Sequence, residues 1–270
     1  MINAVRQSGE FHLYNLAKAF NTEDEPADKV VVVTCPRNTP YGCCIDRGSN
    51  VTIVSTSGPD EPITSWVAYH IAKIGGFNYV AKEEELDRDR PVSFYTINDP
   101  HQNKHLELFL EDINRLSSRP DSWVIPMAFC VGPKSRVHKI HLCFNKKNET
   151  LCDGPLNTIE NAVVFENFSK EIAEKFESKY QMPVDKNQYY GISKQNLLNR
   201  IACKNGFALR IECFTIYFAS DKIAKIMDLA DLINKHFEPD VKKSIPEDML
   251  SRHENSYGYR GYNGLYDYNS

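Results

Sequence analysis

Residues 123–154 read WVIPMAFCVGPKSRVHKIHLCFNKKNETLCDG, and this stretch decides the fold class. WVIPMAFCVG and HKIHLCFN are apolar runs of strand length joined by the turn-forming GPKSR, and TLCDG follows after the polar KKNE. Short apolar runs bounded by Gly, Pro, Ser and Asn fit strands better than helices, which need longer periodic segments. Short connections favour pairing between consecutive strands, so an antiparallel meander is expected. Downstream, NFSKEIAEKFESKY (167–180) predicts a helix introduced by Ser169 and stopped before Pro183. SKQNLLNRIACKNG (193–206) predicts another helix, ended by Gly206, whereas FALRIECFTIYFA (207–219) fits either a strand or a buried helix. DKIAKIMDLADLINKHF (221–237) has an Asp start and apolar positions at Ile223, Ile226, Leu229, Leu232 and Ile233, the spacing of an amphipathic helix.

Upstream, Leu13 to Phe20 predicts a short helix, and KVVVVTC (29–35) a buried strand by its β-branched run. RNTPYG (37–42) is turn chemistry, and CCIDRGSNVTIVSTS (43–57) alternates about Gly48, Ser49 and Asn50 as a hairpin does. ITSWVAYHIAKIGG (63–76) predicts a helix ended by its glycines. KEEELDRDR (82–90) reads as a solvated loop, VSFYTI (92–97) as a strand, and HQNKHLELFLEDINRL (101–116) as a helix. The expected architecture is α/β (α+β), with a central mixed or antiparallel sheet of about six strands flanked by helices. The expected division is an N-terminal α/β region over 1–100, a core over 101–238, and a flexible Tyr-rich tail over 239–270, where SYGYRGYNGLYDYNS carries low-complexity composition.

Of the 270 residues, 41% are apolar and 25% charged, which suits a packed globular chain and excludes collagen-like, coiled-coil and wholly disordered readings. Lys and Arg number 32 against 36 Asp and Glu, and the basic residues are dispersed, so neither nucleic acid nor an anionic membrane is an expected partner. The start MINAVRQSGEFH lacks the apolar core of a secretory signal, which predicts an intracellular, cytoplasmic protein. Eight cysteines without a CxxC pair then read as reduced, mostly buried thiols, and the sequons at Asn50, Asn148 and Asn167 carry no weight.

The reactive groups of the second half run in the order His138, Asp153, Cys203. A thiol nucleophile needs an imidazole to raise its thiolate fraction, and that imidazole needs a carboxylate to fix its tautomer. Neighbouring strands would bring His138 and Asp153 to one sheet edge, and a helix N-terminus would suit the Cys203 thiolate. VIPMAF, VHKIHLCFNKKNETLCDG and the distant Cys, over about residues 105–235, resemble the core of the clan CE cysteine peptidases. That clan includes proteases of ubiquitin-like modifiers and bacterial effector deubiquitinases and acetyltransferases. The resemblance implies Cys203 as nucleophile, His138 as general base, Asp153 as its orienting acid and Gln195 as an oxyanion-hole side chain. It implies a hydrolase or acyltransferase acting on a protein substrate, ubiquitin-like conjugates among them, with no cofactor. A second alignment sets Asn205 at the nucleophile position, because NGFALR is similar to the clan's Cys-Gly-apolar segment. The protein would then be a non-catalytic interaction partner, an effector or antagonist on the same fold.

Other constellations compete. His101 and His105, four apart on a predicted helix, with one of His138 and His141, which point to opposite faces of a strand, and Cys143 or Cys152 nearby, suggest a tetrahedral Zn²⁺ site. VSTS (54–57) with EEE (83–85) is similar to elements of ADP-ribosyltransferases, and DRD (87–89) to the Asp-x-Asp of glycosyltransferases. PYGCC (40–44) offers Cys43 or Cys44 as a papain-type nucleophile with His101 or His105 downstream.

Overall fold

A computed structural model describes residues 37–56, 62–82, 105–129, 140–143, 160–187, 197–211 and 221–239. Among them the elements run β1 (Arg37–Thr39), β2 (Gly42–Ile45), β3 (Val51–Ser55), α1 (Pro62–Gly75), β4 (Asn78–Lys82), α2 (Leu106–Leu116) and β5 (Trp123–Phe129). They continue with β6 (Ile140–Cys143), α3 (Ala162–Tyr180), β7 (Val184–Asn187), a 3-10 turn at Leu197–Asn199, β8 (Ala208–Ile211) and α4 (Lys222–Phe237). The strands form one eight-stranded sheet in the order β1-β2-β4-β3-β5-β8-β6-β7. The mixed central sheet flanked by helices is therefore as expected, with more strands than the sequence suggested. Strands from both sides of residue 100 share it, since β3 hydrogen-bonds β4 on one side and β5 on the other.

The four central strands β4, β3, β5 and β8 run parallel. Val51 to Ser55 are all buried, as a parallel strand covered on both faces requires. One face carries α1, α3 and α4 over Ile53, Tyr79, Ile125 and Leu209, and the other carries α2 over Val54, Val80 and Val124. Helix α1 starts with Pro62, whose missing N–H costs nothing there. It closes with Gly76 at φ +65°, where Gly76 N donates to Lys73 O and Phe77 N to Ala72 O, a Schellman pair. A Cβ on the adjacent Gly75 would stand 2.0 Å from the Phe77 ring, so glycine is needed for that close turn as well.

Five local expectations are corrected. RNTPYG is not only a turn: Arg37–Thr39 is a strand antiparallel to β2. The strands around Gly48 do not form a hairpin, because β4 lies between β2 and β3. Asn78 at the head of β4 takes up the backbone of that connection, accepting from Arg47 N and Ser49 N and donating to Ser49 O. The meander also fails, since β8 is inserted between β5 and β6, parallel to the first and antiparallel to the second. This settles residues 208–211 as strand. Finally, 193–206 holds no long helix among the described residues, only the 3-10 turn, after which Ala202 N is drawn to Asn114 Oδ1 of α2. Helix α3 begins at Ala162, and Ser169 lies inside it with its hydroxyl on Phe165 O.

KVVVVTC, VSFYTI, the helix at Leu13–Phe20 and the Tyr-rich tail lie outside the described residues. No helix among the described residues is long and apolar enough to cross a membrane.

Candidate functional site

Cys203 lies five residues before β8, at the amino edge of the parallel strands, where Val124 bridges Gly206. Instead of a helix N-terminus of its own, it occupies an extended connection. Its residue is 7% exposed, and its Sγ donates to Ser122 O at 3.1 Å and to Asn205 O at 3.3 Å. Burial pushes the thiol pKa up, more than the neighbouring hydrogen bonds pull it down. Asn205 is also buried: its Nδ2 donates to Pro120 O and Ser122 O, and its Oδ1 accepts from Asn161 N at the head of α3. Both residues hold the connection before β8 against the one before β5.

His138, Asp153, Gln195 and His101 lie outside the described residues. Ile140, two residues after His138, pairs with Ile211 at the carboxyl edge of β8. Ile211 in turn pairs with Phe129, five residues along β5 from the Val124 that bridges Gly206. At about 3.3 Å per residue, the β6 start and the Cys203 loop are about 16 Å apart along the sheet. Two residues of chain span at most about 7 Å.

His105 precedes α2 and makes no side-chain capping bond. Cys43, Cys44, Cys143 and Cys203 are buried. Cys44 is held beneath Arg115, whose guanidinium also reaches Asp112 at 3.1 Å and Asp46 at 3.2 Å. Tyr41 donates to Asp112 at 2.5 Å, and burial first, then that bond, drives the phenol well above its ordinary range. This group braces β2 against α2 and covers Cys44, while Cys43 packs into the core on the opposite face. Among the described residues no three His, Cys, Asp or Glu side chains could hold a metal ion.

The opposite, carboxyl edge gathers a different chemistry. Among the described residues the element after β3 is α1, packed on one face, and the element after β4 is α2, packed on the other. Where adjacent parallel strands send their connections to opposite faces, a crevice opens outside their carboxyl ends, and ligands bind there. Ser55 closes β3 with its Oγ 2.5 Å from Ser65 Oγ on the first turns of α1. Thr56 follows at 1% exposure, and Lys82 closes β4 at 3%. Thr64 is 2% exposed, and its Oγ1 has no hydrogen-bond partner among the described residues. It lies on the buried face of α1 with Ala68 and Ile71, spaced four and seven residues on, and so faces the sheet.

Helix α4 starts at the same edge. Its end is fixed at the amino edge, where Glu238 accepts from Ser49 Oγ at 2.6 Å and from Asn50 N just before β3, and its 16 residues run back from there. Lys222 on its first turn stands 5.5 Å from the ring centroid of Trp66 on α1. The sequence held a signal for this edge: a β-branched strand ending in VSTS, a Gly-Pro turn and a helix form a β-turn-α unit with hydroxyls at the join.

No protein-family model and no curated protein matches the chain. Among solved structures it is similar to a zinc-free apo form of YNDL, with 10% identity over 72% of this chain and 86% of that one at a TM-score of 0.45. It is similar to a bacteriophage poly-gamma-glutamate hydrolase, with 12% identity over 79% and 91% at 0.44. It is also similar to the catalytic domain of an N-acetylmuramoyl-L-alanine amidase from Bacillus (Paenibacillus) polymyxa, with 8% identity over 68% and 96% at 0.34. The last two are hydrolases by name.

Proposed function

We propose that the chain binds a small ligand at the carboxyl edge of β4, β3, β5 and β8, and that Cys203 is a structural thiol. The observation that carries this is the packing of α1 and α2 on opposite faces of the sheet, with the hydroxyls of Ser55 and Ser65 in contact at the end of β3. Interior hydroxyls are normally paired, and the Thr64 oxygen is one of six buried side-chain polar atoms without a partner among the described residues, on the turn whose Ser65 meets Ser55.

The test is chemical-shift mapping of the full chain against a panel of small metabolites, with Ser55→Ala, Thr64→Val and Cys203→Ser as variants. Perturbations at the ends of β3 and β4, lost in Thr64→Val and kept in Cys203→Ser, support the proposal. Perturbations confined to the Cys203 loop overturn it.

The order His138, Asp153, Cys203 favours a second reading, a cysteine-dependent hydrolase or acyltransferase acting on protein conjugates. It asks the thiol to leave the Ser122 carbonyl. Labelling by a ubiquitin-derived activity probe that vanishes in Cys203→Ala establishes it and displaces the first.

A further inference from the structure

We infer that Asn205 and Gly206 form a modification site: the pair deamidates only when the connection before β8 opens, and the product cannot rebuild that connection. Asparagine followed by glycine is the most readily deamidated pair in a polypeptide, because no side chain on the second residue hinders its nitrogen. The Gly206 nitrogen gives its proton to solvent base and attacks Asn205 Cγ. The new C–N bond closes a succinimide as Nδ2 leaves as ammonia. Water then opens the imide at one carbonyl or the other, giving aspartate or, with the main chain rerouted through the side chain, isoaspartate.

The fold both requires this pair and restrains it. A Cβ on residue 206 would stand 2.9 Å from Val124 O and 2.8 Å from Leu198 Cδ2, so where the chain bridges Val124 only glycine fits. Asn205 is 1% exposed, and its carboxamide donates to Pro120 O and Ser122 O and accepts from Asn161 N. Its main-chain carbonyl, which becomes part of the imide, accepts from Val124 N and Cys203 Sγ. Loss of Nδ2 removes both of its donated bonds, and burial keeps solvent base and water from the reacting atoms. Reaction therefore waits for the connection to open. Afterwards an aspartate sets a carboxylate against two buried carbonyls, and an isoaspartate adds a backbone carbon ahead of β8. Each opening that reacts is thus a one-way step. The pair lies at the edge opposite the proposed ligand site and is independent of it.

The experiment ages the full chain at mildly alkaline pH, with and without urea, beside the free peptide ACKNGFAL (202–209). Peptide mass spectrometry follows deamidation at 205, with isoaspartate resolved by chromatography. In urea the chain should react at the rate of the free peptide, and in the native state about 100-fold or more slowly, because the rate is scaled by the open fraction. Cys203→Ala, which removes the bond to the Asn205 carbonyl, should speed native deamidation, and Cys203→Ser, which keeps a donor, should speed it less. Chains deamidated in urea and then refolded should denature at the lower urea midpoint of Asn205→Asp. Native deamidation at the peptide's rate overturns the restraint, and no deamidation in urea overturns the lability. A refolded, deamidated chain with the midpoint of the unmodified one overturns the one-way step.

Discussion

Replacing Asn205 by alanine tests whether the connection before β8 is a structural strut. The amide is 1% exposed and makes three hydrogen bonds, to Pro120 O at 3.4 Å, to Ser122 O at 3.3 Å and from Asn161 N at 3.2 Å. A net intramolecular hydrogen bond contributes about 1 kcal/mol, and long ones less, but a buried donor left unpaired adds its own desolvation cost. The Asn161 N–H heads α3 and is half-buried in this bond, so the sum for Asn205→Ala is about 2–3 kcal/mol. In a domain of this size that is a fall in Tm of about 5–10 °C. Urea denaturation followed by circular dichroism should show a lower midpoint at an unchanged slope, meaning a less stable native state with the same surface exposed on unfolding. Asn205→Asp separates polarity from geometry: it keeps the acceptor for Asn161 N, loses the donor, and sets a carboxylate against two carbonyls, so it should be no better than alanine. A cost below about 0.5 kcal/mol for Asn205→Ala, the range of ordinary surface changes, would refute the strut and reopen the position to another role.

Other outcomes follow from the same geometry. Cys203 should resist an alkylating reagent at pH 8 until the chain unfolds, because the thiol is buried, bonded to a carbonyl and raised in pKa; mass spectrometry of the alkylated sites decides, and modification of the native protein at the rate of a free thiol would count against the assignment. The Asp228 carboxyl, which burial alone would raise, is instead held at about 2 by hydrogen bonds from Lys179, Tyr180 and Lys175 between α3 and α4. Its folded pKa lies below its unfolded one, so its contribution is complete above about pH 4 and is lost as pH falls towards 2. Asp228→Asn should flatten the stability profile over that window, and an unchanged acid limb would sink the idea. Gly75→Ala should cost about 2 kcal/mol, since its Cβ has to displace the Phe77 ring from the core, which thermal melts will show.

What the sequence made legible was whatever depends on short-range periodicity. Helices α1, α2 and α4 are marked by apolar residues three and four apart, and those residues are the buried ones: Val67, Ala68 and Ile71; Phe109, Leu110 and Ile113; Ile226, Leu229 and Ile233. Strands β3, β5 and β6 announce themselves by β-branched and apolar runs. Pairing was not legible, because alternation records which face of a strand is buried and not which strand lies beside it. VTIVS reads the same beside β2 as beside β4. Asn78 decides the matter by binding the backbone of the 46–50 connection, and a single asparagine leaves no periodic trace.

That limit bears directly on the candidate site. The sequence suggests that β5 pairs with β6, whereas β8, the strand that follows Cys203, lies between them. Its insertion sends the start of β6 to the carboxyl edge while Cys203 stays at the amino edge. The same insertion extends the parallel block to four strands, so that α1 and α4 begin at one edge. One topological feature therefore brings to one edge Ser55, Thr64, Ser65, Lys82 and Lys222, which the sequence leaves scattered over more than half the chain. If strand order is what makes the site, a circular permutant opened in the 57–61 connection should keep the sheet and lose ligand binding, because the tether that holds α1 over β3 would be cut. Binding that survived this cut undiminished would show that packing of α1 on α4 positions the hydroxyls and that the β3 connection does not.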